Sequence, residues 1–396
     1  MTFQHTAISG LPVIPAIQSR MRDLVALRHD LHAHPELSGQ EFRTTNVVEH
    51  TLIEAGYDVR RLSVGTGLIA DTPGAHGARR AIRADLDALA MHDQKSVDYR
   101  STIEGVAHAC GHDVHTTAAI GAALFFADHR DLVPGPLRFI FQPAEERVPG
   151  GALEVLADDG LVDVSSIIGL HCEPKLDCGT IGLRAGAITS AADMITIDLA
   201  GPGGHTARPE LTVDLVSIGA RLVTGVPALV ADELVRIGHN ADDVKLVFGA
   251  IHSGDAANVI PTDCQLKASI RTPSLEVWED LEKIVTVAVD RVLGGTGAAR
   301  SIEYVHGVPP TVNDPDVIQR LQHAAAAMGD VTVVEPLQSW GGDDFAWLTR
   351  EVPGAYVRLG VHAAGTTRLD LHAGLFDVDE RAISVGVQLL INTVLT

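Results

Sequence analysis

The segment His108-Ala-Cys110-Gly-His112-Asp113-Val-His115 packs three imidazoles, a thiol and a carboxylate into eight residues. In an extended segment, side chains two apart share one face, so Cys110 and His112 can offer a sulfur and a nitrogen donor side by side, with Gly111 free to bend between them. A thiolate and a neutral imidazole are ordinary donors for a zinc-type cation; the competing reading is a loop with satisfied histidines and a buried thiol. A second cluster, Gln142-Pro-Ala-Glu145-Glu146, follows the apolar run Leu137–Phe141. Two adjacent carboxylates leaving a strand can diverge, one binding a cation while the other takes a proton from water. The alternative is a solvated acidic pair. His171 closes the apolar run Ile167-Ile-Gly-Leu, Asp85 and Asp87 close Ala81-Ile-Arg-Ala, and His372 sits in a turn near the C-terminus. Sites of open α/β sheets form outside the carboxyl ends of strands, where donors from distant sequence positions meet. Cys110, His112, Glu146, His171 and His372 are together enough for one divalent ion or a pair sharing a bridging ligand, and the pair is the expectation.

The elements that must carry these side chains are legible as periodicities. Ala16–Leu31 has helical spacing and stops before Pro35. Strand-like runs at Arg80–Leu86, Leu137–Gln142 and Ser165–Leu170 alternate with helical segments at Asp113–Asp128 and Ala152–Leu156, which predicts an α/β catalytic domain with a mixed central sheet. From residue 191 the rhythm changes. Met194–Ala200, Val213–Val235 (interrupted or bent at Pro227), Val244–His252, Gln265–Thr272, Glu276–Leu293 and Ser301–Val305 read as βαββαβ, a four-stranded ferredoxin-like sheet with both helices on one face. The expected organisation is therefore a first catalytic segment at 1–190, an inserted lid at 191–304 and a second catalytic segment at 305–396. That last segment carries a helix at Pro315–Ala327, a strand near Ala355–Gly360 and a helix from Glu380 to Val394.

At roughly 100–200 residues per domain, 396 residues make two or three folded units. The formal charge of −21 opposes phosphate backbones and anionic membrane surfaces, so neither nucleic acid nor membrane is an expected partner. Four cysteines without a C-x-x-C pair make no disulfide framework, in keeping with a reducing cytoplasm. The first residues lack the basic flank of a secretory signal, and no apolar run is read as reaching the roughly 20 residues of a membrane span. Gly294-Gly-Thr-Gly297 follows a helix, and no G-x-x-x-x-G-K-[ST] occurs, so nucleotide phosphate binding has no support.

Eight segments resemble, in order and spacing, the metal-dependent amidohydrolase branch of the aminoacylase and carboxypeptidase superfamily. They are His34-Pro-Glu-Leu, Arg83-Ala-Asp-Leu-Asp-Ala-Leu, His108-Ala-Cys-Gly-His-Asp, Phe141-Gln-Pro-Ala-Glu-Glu, Gly169-Leu-His, Gly203-Gly-His-Thr-Ala-Arg-Pro, Asn258-Val-Ile-Pro and Leu371-His. The resemblance implies Cys110, His112, Glu146, His171 and His372 as metal ligands, Glu145 as general base and Asp87 as a carboxylate supporting the ligands. It implies His205 as the donor that stabilises the tetrahedral oxyanion, Asn258 and Arg271 as contacts to a substrate carboxylate, and a homodimer formed through the lid. The implied cofactor is a pair of zinc, manganese or cobalt ions, and the implied reaction is hydrolysis of an N-acyl amino acid or similar small conjugate. Ala90-Met91-His92-Asp93 and Arg147-Val-Pro-Gly depart from the family's usual sequence, which bears on substrate preference. The rival readings are a dipeptide hydrolase on the same site, a thiol hydrolase using Cys110 as nucleophile, and a non-catalytic binding protein that keeps the fold.

Overall fold

The computed structural model describes residues 13–396 except residue 75. They form two compact units: the first is the chain up to Ile188 with Val312–Leu337 and Asp344–Thr396, and the second is Thr189–Thr311 with Gln338–Asp343.

The first unit is built on a mixed eight-stranded sheet in the spatial order Asp58–Arg61, Leu68–Asp71, Leu137–Gln142, Arg79–Asp85, Val164–Asp177, Gly354–His362, Thr180–Gly182, Thr332–Val334. The four central strands are parallel. Their interior residues are buried on both faces and mostly apolar, as strands covered on both sides require, with Arg83, Arg138 and Arg358 as buried exceptions. The registers place the chemistry at one edge: Asp85 pairs with Gln142, Arg83 with Gly169, and His171 with Arg358. The strand carrying His171 is longer than Ser165–Leu170; pairing with Gly354–His362 continues to Asp177, so this histidine lies inside a strand and not at its end.

Helix His112–Asp128 is buried along nearly its whole length, as expected of a helix apolar on all sides. It packs against Val13–Ala33 and Arg381–Leu395. The crossing with Arg381–Leu395 is close at Gly121, where a Cβ would stand 2.6 Å from Val387 Cγ2. Helix Phe42–Glu54 is absent from the sequence reading. Its start is capped from a distance by Glu36 of the His-Pro-Glu-Leu segment, whose carboxylate accepts from the backbone N–H groups of Arg43 (2.9 Å) and Thr44 (2.7 Å).

The second unit is an antiparallel four-stranded sheet in the order Lys245–His252, Asp263–Arg271, Ala192–Ala200, Ala299–Val308. Alternate residues Ile195, Ile197, Leu199, Leu266, Ala268 and Ile270 share a core with helices Leu215–Arg236 and Leu275–Leu293. Asp214 and Ser274 cap those helices by accepting from Ser217 N (3.1 Å) and Val277 N (3.2 Å). The first of them runs unbroken through Pro227. At 22 residues it is long and apolar enough to cross a membrane by length and composition, contrary to the sequence expectation. Its Leu222, Val226, Val230 and Leu234 are buried against the unit's own sheet and partner helix, while Val216 and Val235 are exposed.

Within this unit, buried Asp193 accepts hydrogen bonds from Trp278 Nε1 (2.9 Å), Tyr304 OH (2.8 Å) and Gly307 N (2.9 Å). Asp193→Ala takes this acceptor from all three and should destabilise the unit by about 2–4 kcal/mol. Thermal denaturation of the full chain checks this, and an unchanged midpoint contradicts it.

Candidate metal centre

Glu145 and Glu146 diverge because of the residue before them. Ala144 adopts a left-handed backbone conformation, φ 55°, that a non-glycine residue takes only when held there. The restraints are the buried carboxylate of Glu41, whose Oε1 accepts from Ala144 N (2.8 Å) and Gly39 N (2.7 Å), and Gly151 N donating to Ala144 O (3.0 Å). The strand end below is cross-linked by buried Arg83, which donates to Gln142 Oε1 (2.9 Å), Asp85 Oδ2 (2.5 Å) and Asp344 Oδ1 (2.9 Å). Gln142 and Ala152 N also donate to Asp344.

Asp87, wholly buried, joins the two motifs. Its Oδ2 accepts from Ser38 Oγ (2.7 Å) and from Glu146 N (3.0 Å). His112 Nδ1 lies 2.9 Å from the Asp87 carbonyl oxygen and 3.2 Å from Asp87 Oδ1. Donation from Nδ1 orients the ring and leaves Nε2 as the edge open to an ion, 3.9 Å from both Glu145 Oε2 and Glu146 Oε1. His372, itself at φ 59°, donates its backbone N–H to Ala109 O (2.8 Å) and brings Nε2 to 3.3 Å from Glu146 Oε1. His171 donates Nδ1–H to the Cys172 carbonyl (2.7 Å), which turns Nε2 toward Cys110 Sγ at 3.6 Å. The turn into the helix at Gly111 (φ 90°) presses so close to the strand that a Cβ there would meet Cys172 Sγ at 2.6 Å.

These distances provide a test of fit. Donors bonded to one tetrahedral ion at about 2.0–2.3 Å stand about 3.3–3.8 Å from one another. The Cys110, Glu146 and His372 donor atoms all lie within 4.8 Å of each other, as do those of His112, Glu145 and Glu146. His112 Nε2 and Glu146 Oε1 are buried and have no hydrogen-bond partner among the described residues, which a shared cation would provide. The residues present fit divalent ions. His115, in the same motif, is fully used: Cys172 N donates to its Nε2 (2.8 Å), and its Nδ1 lies 2.6 Å from Asp85 Oδ1. Although close to Asp85 and His112, it is thereby removed from the donor set.

The local potential is negative. Burial disfavours the charged form of His112, yet Asp85 and Cys110 outweigh it and hold the imidazole well above its ordinary range. The adjacent Cys110 and Glu146 side chains push His372 up to about 10. Burial pushes the Cys110 thiol up, the reverse of an activated nucleophile. Burial, followed by the nearby Arg358 charge, holds His171 well below its usual value, in the neutral form that ligates.

In the second unit, His205 and Asn258 are both exposed; His205 lies on a two-stranded ribbon and pairs with Val259, and Asn258 is in the turn immediately before that strand. His205 Nδ1 accepts from Ala207 N at 3.0 Å, leaving Nε2 as the donating edge. Arg271 is partly buried and donates Nη1 to the Trp340 carbonyl (2.8 Å), so one arm of its fork is engaged inside the unit. The supports Ser38, Glu41 and Asp344 escape the sequence reading, and Arg83 enters it only as the first residue of a quoted segment with no role assigned; of the first three, Glu41, an acidic residue just before a helical pattern, left a local signal.

The family profile "Peptidase family M20/M25/M40" matches residues 81–396, and the chain belongs to that family, whose members are hydrolases of amide bonds. A Rhodococcus jostii protein bearing a glutamate–cysteine ligase name is 43% identical over 371 residues; the match covers 93% of this chain but only 46% of that protein. The Bacillus subtilis N-acetylcysteine deacetylase is 34% identical, with 92% of this chain and 94% of that one covered. Among solved structures, a Bacillus subtilis dinuclear metal binding peptidase of the M20 family superimposes with a TM-score of 0.83 at 30% identity, covering 96% and 98% of the two chains.

A cation that binds the folded site stabilises the chain by about 2.7 kcal/mol at a free concentration one hundred times its dissociation constant. Manganese, cobalt or zinc should therefore raise the melting temperature of chelator-treated protein, and His112→Ala should reduce the rise. Equal responses in the two proteins would contradict the assignment.

Proposed function

We propose that the protein hydrolyses the amide bond of N-acyl amino acids or related small conjugates. The observation that carries this reading is the placing of Glu145 beside His112 Nε2 and Glu146, within one cluster of metal-type donors. Membership of an amide-hydrolysing family and the deacetylase name of a 34% identical relative support it. That relative makes N-acetylcysteine the first substrate to assay.

Cys110, His112, Glu146, His171 and His372 would hold two divalent ions of zinc, manganese or cobalt, which when bound polarise the scissile carbonyl and acidify water. Glu145 acts on the proton: its carboxylate accepts one from the water that attacks the carbonyl carbon and returns it to the departing amide nitrogen. Asp87 keeps His112 in a single tautomer. His205 Nε2 donates to the charge that develops on the carbonyl oxygen, and Asn258 and Arg271 bind the substrate's carboxylate. Residues 191–304 serve as lid and as the surface of a homodimer, and the enzyme works in the cytoplasm. Dipeptides offer the same amide bond to the same groups and form the second substrate class.

Glu145→Gln keeps the shape and removes the base. It should lower kcat about 10²–10⁴-fold with metal content unchanged; full turnover would remove the assignment. His205→Ala should cost about 10²–10³-fold in kcat, measured on acetyl-, benzoyl- and dipeptidyl amino acids. Chelation should abolish activity, with recovery on adding divalent ions, whereas a thiol hydrolase or a binding protein would give neither result.

A further inference from the structure

The loop that carries His372 is fixed by residues remote from it in sequence. Gly374 O accepts from Gln94 N (2.7 Å), Phe376 O from the buried Lys95 Nζ (2.9 Å), and Asp377 Oδ2 from Tyr99 OH (2.7 Å). Asp377 Oδ1 accepts from Arg28 Nη2 at 2.9 Å. The same guanidinium, 1% exposed, donates Nε to Asp113 Oδ2 at 2.7 Å, and Asp113 directly follows His112 at the start of its helix. His32 Nδ1 also meets Asp113 Oδ2, at 2.8 Å.

We propose that Arg28 is a positioning residue for the metal centre: by bridging Asp113 and Asp377 it sets the spacing between His112 and His372. A planar fork with donors on separate edges can hold two carboxylates in fixed relation, which a single ammonium cannot. The bracket works with the Ala109–His372 backbone bond, so the ligand loop is attached to the His112 segment at two points. Removing the guanidinium takes away the one group hydrogen-bonded to both Asp113 and Asp377, and Lys95 and His32, which also face these carboxylates, do not bridge them.

The inference rests on the metal reading given under Proposed function, and cobalt(II) binding to the full chain tests the two separately. Arg28→Met and Asp377→Asn should each weaken cobalt binding about 10–100-fold. Each should also change the visible absorption of the bound ion and lower kcat more than they change KM. Arg28→Lys should recover part of the affinity. Tyr57→Phe, which loses a 2.7 Å hydrogen bond to Ala123 O in the same helix, is the control: it should lower the melting temperature with cobalt affinity and spectrum unaltered. The bracket is refuted if Arg28→Met loses only thermal stability, as the control does. If that variant does not fold, wild-type affinity and spectrum in Asp377→Asn refute it equally. A wild-type chain that binds no cobalt overturns the metal reading and the bracket together, an outcome distinct from a variant that binds normally.

Discussion

The presentation of His112 and of the glutamate pair depends on the buried carboxylate of Asp87. One of its carboxylate oxygens holds the backbone of Glu146, while its carbonyl and other oxygen face His112 Nδ1. A ligand histidine can present Nε2 to an ion only if something takes its Nδ1 proton, and a glutamate pair can split its duties only if the backbone between them is fixed. A single residue just beyond the end of a central strand meets both requirements. The supports around it repeat the principle at each level: Glu41 restrains the left-handed Ala144, and Arg83 ties Asp85, Gln142 and Asp344 into the strand ends.

These buried charges oppose one another in a way that favours cations at the centre. Asp85 is pinned by Arg83 and His115, and despite the cost of burial its carboxyl lies well below its usual range because of the neighbouring His112 and His115 imidazoles and the Arg83 guanidinium. The same anionic surroundings raise His112 and His372. Surroundings that raise these imidazoles favour positive charge, which a divalent ion would supply. Burial holds Cys110 toward its neutral thiol, and a bound cation would favour the thiolate instead.

Much of this was readable in the sequence because the signals are local. Cys110 and His112 are two apart, Glu145 and Glu146 are adjacent and follow an apolar strand, and the alternation of periods 2 and 3.6 marks the sheet and the change of rhythm at residue 191. The longer strand through His171 was not readable, since its extension to Asp177 depends on pairing with residues almost two hundred positions later. Helix Phe42–Glu54 was missed for a related reason: its cap is Glu36, outside the usual local signature. Likewise Gln338–Asp343 clusters with the second unit although its sequence lies within the C-terminal segment. Ser38, Arg28 and Asp344 act only through partners brought near by the fold, and no spacing rule announces such residues. His115 is the converse case, a histidine in the densest motif whose two nitrogens are already committed.

The central claim is that five side chains from four separate stretches of sequence converge on divalent cations while Glu145 stays outside the coordination. Anomalous diffraction at the cobalt or manganese edge, from crystals grown with that ion, addresses it most directly. The account predicts peaks within bonding distance of Cys110, His112, Glu146, His171 and His372, with no bond to Glu145. Peaks elsewhere, or Glu145 as a ligand in place of Glu146, would contradict it.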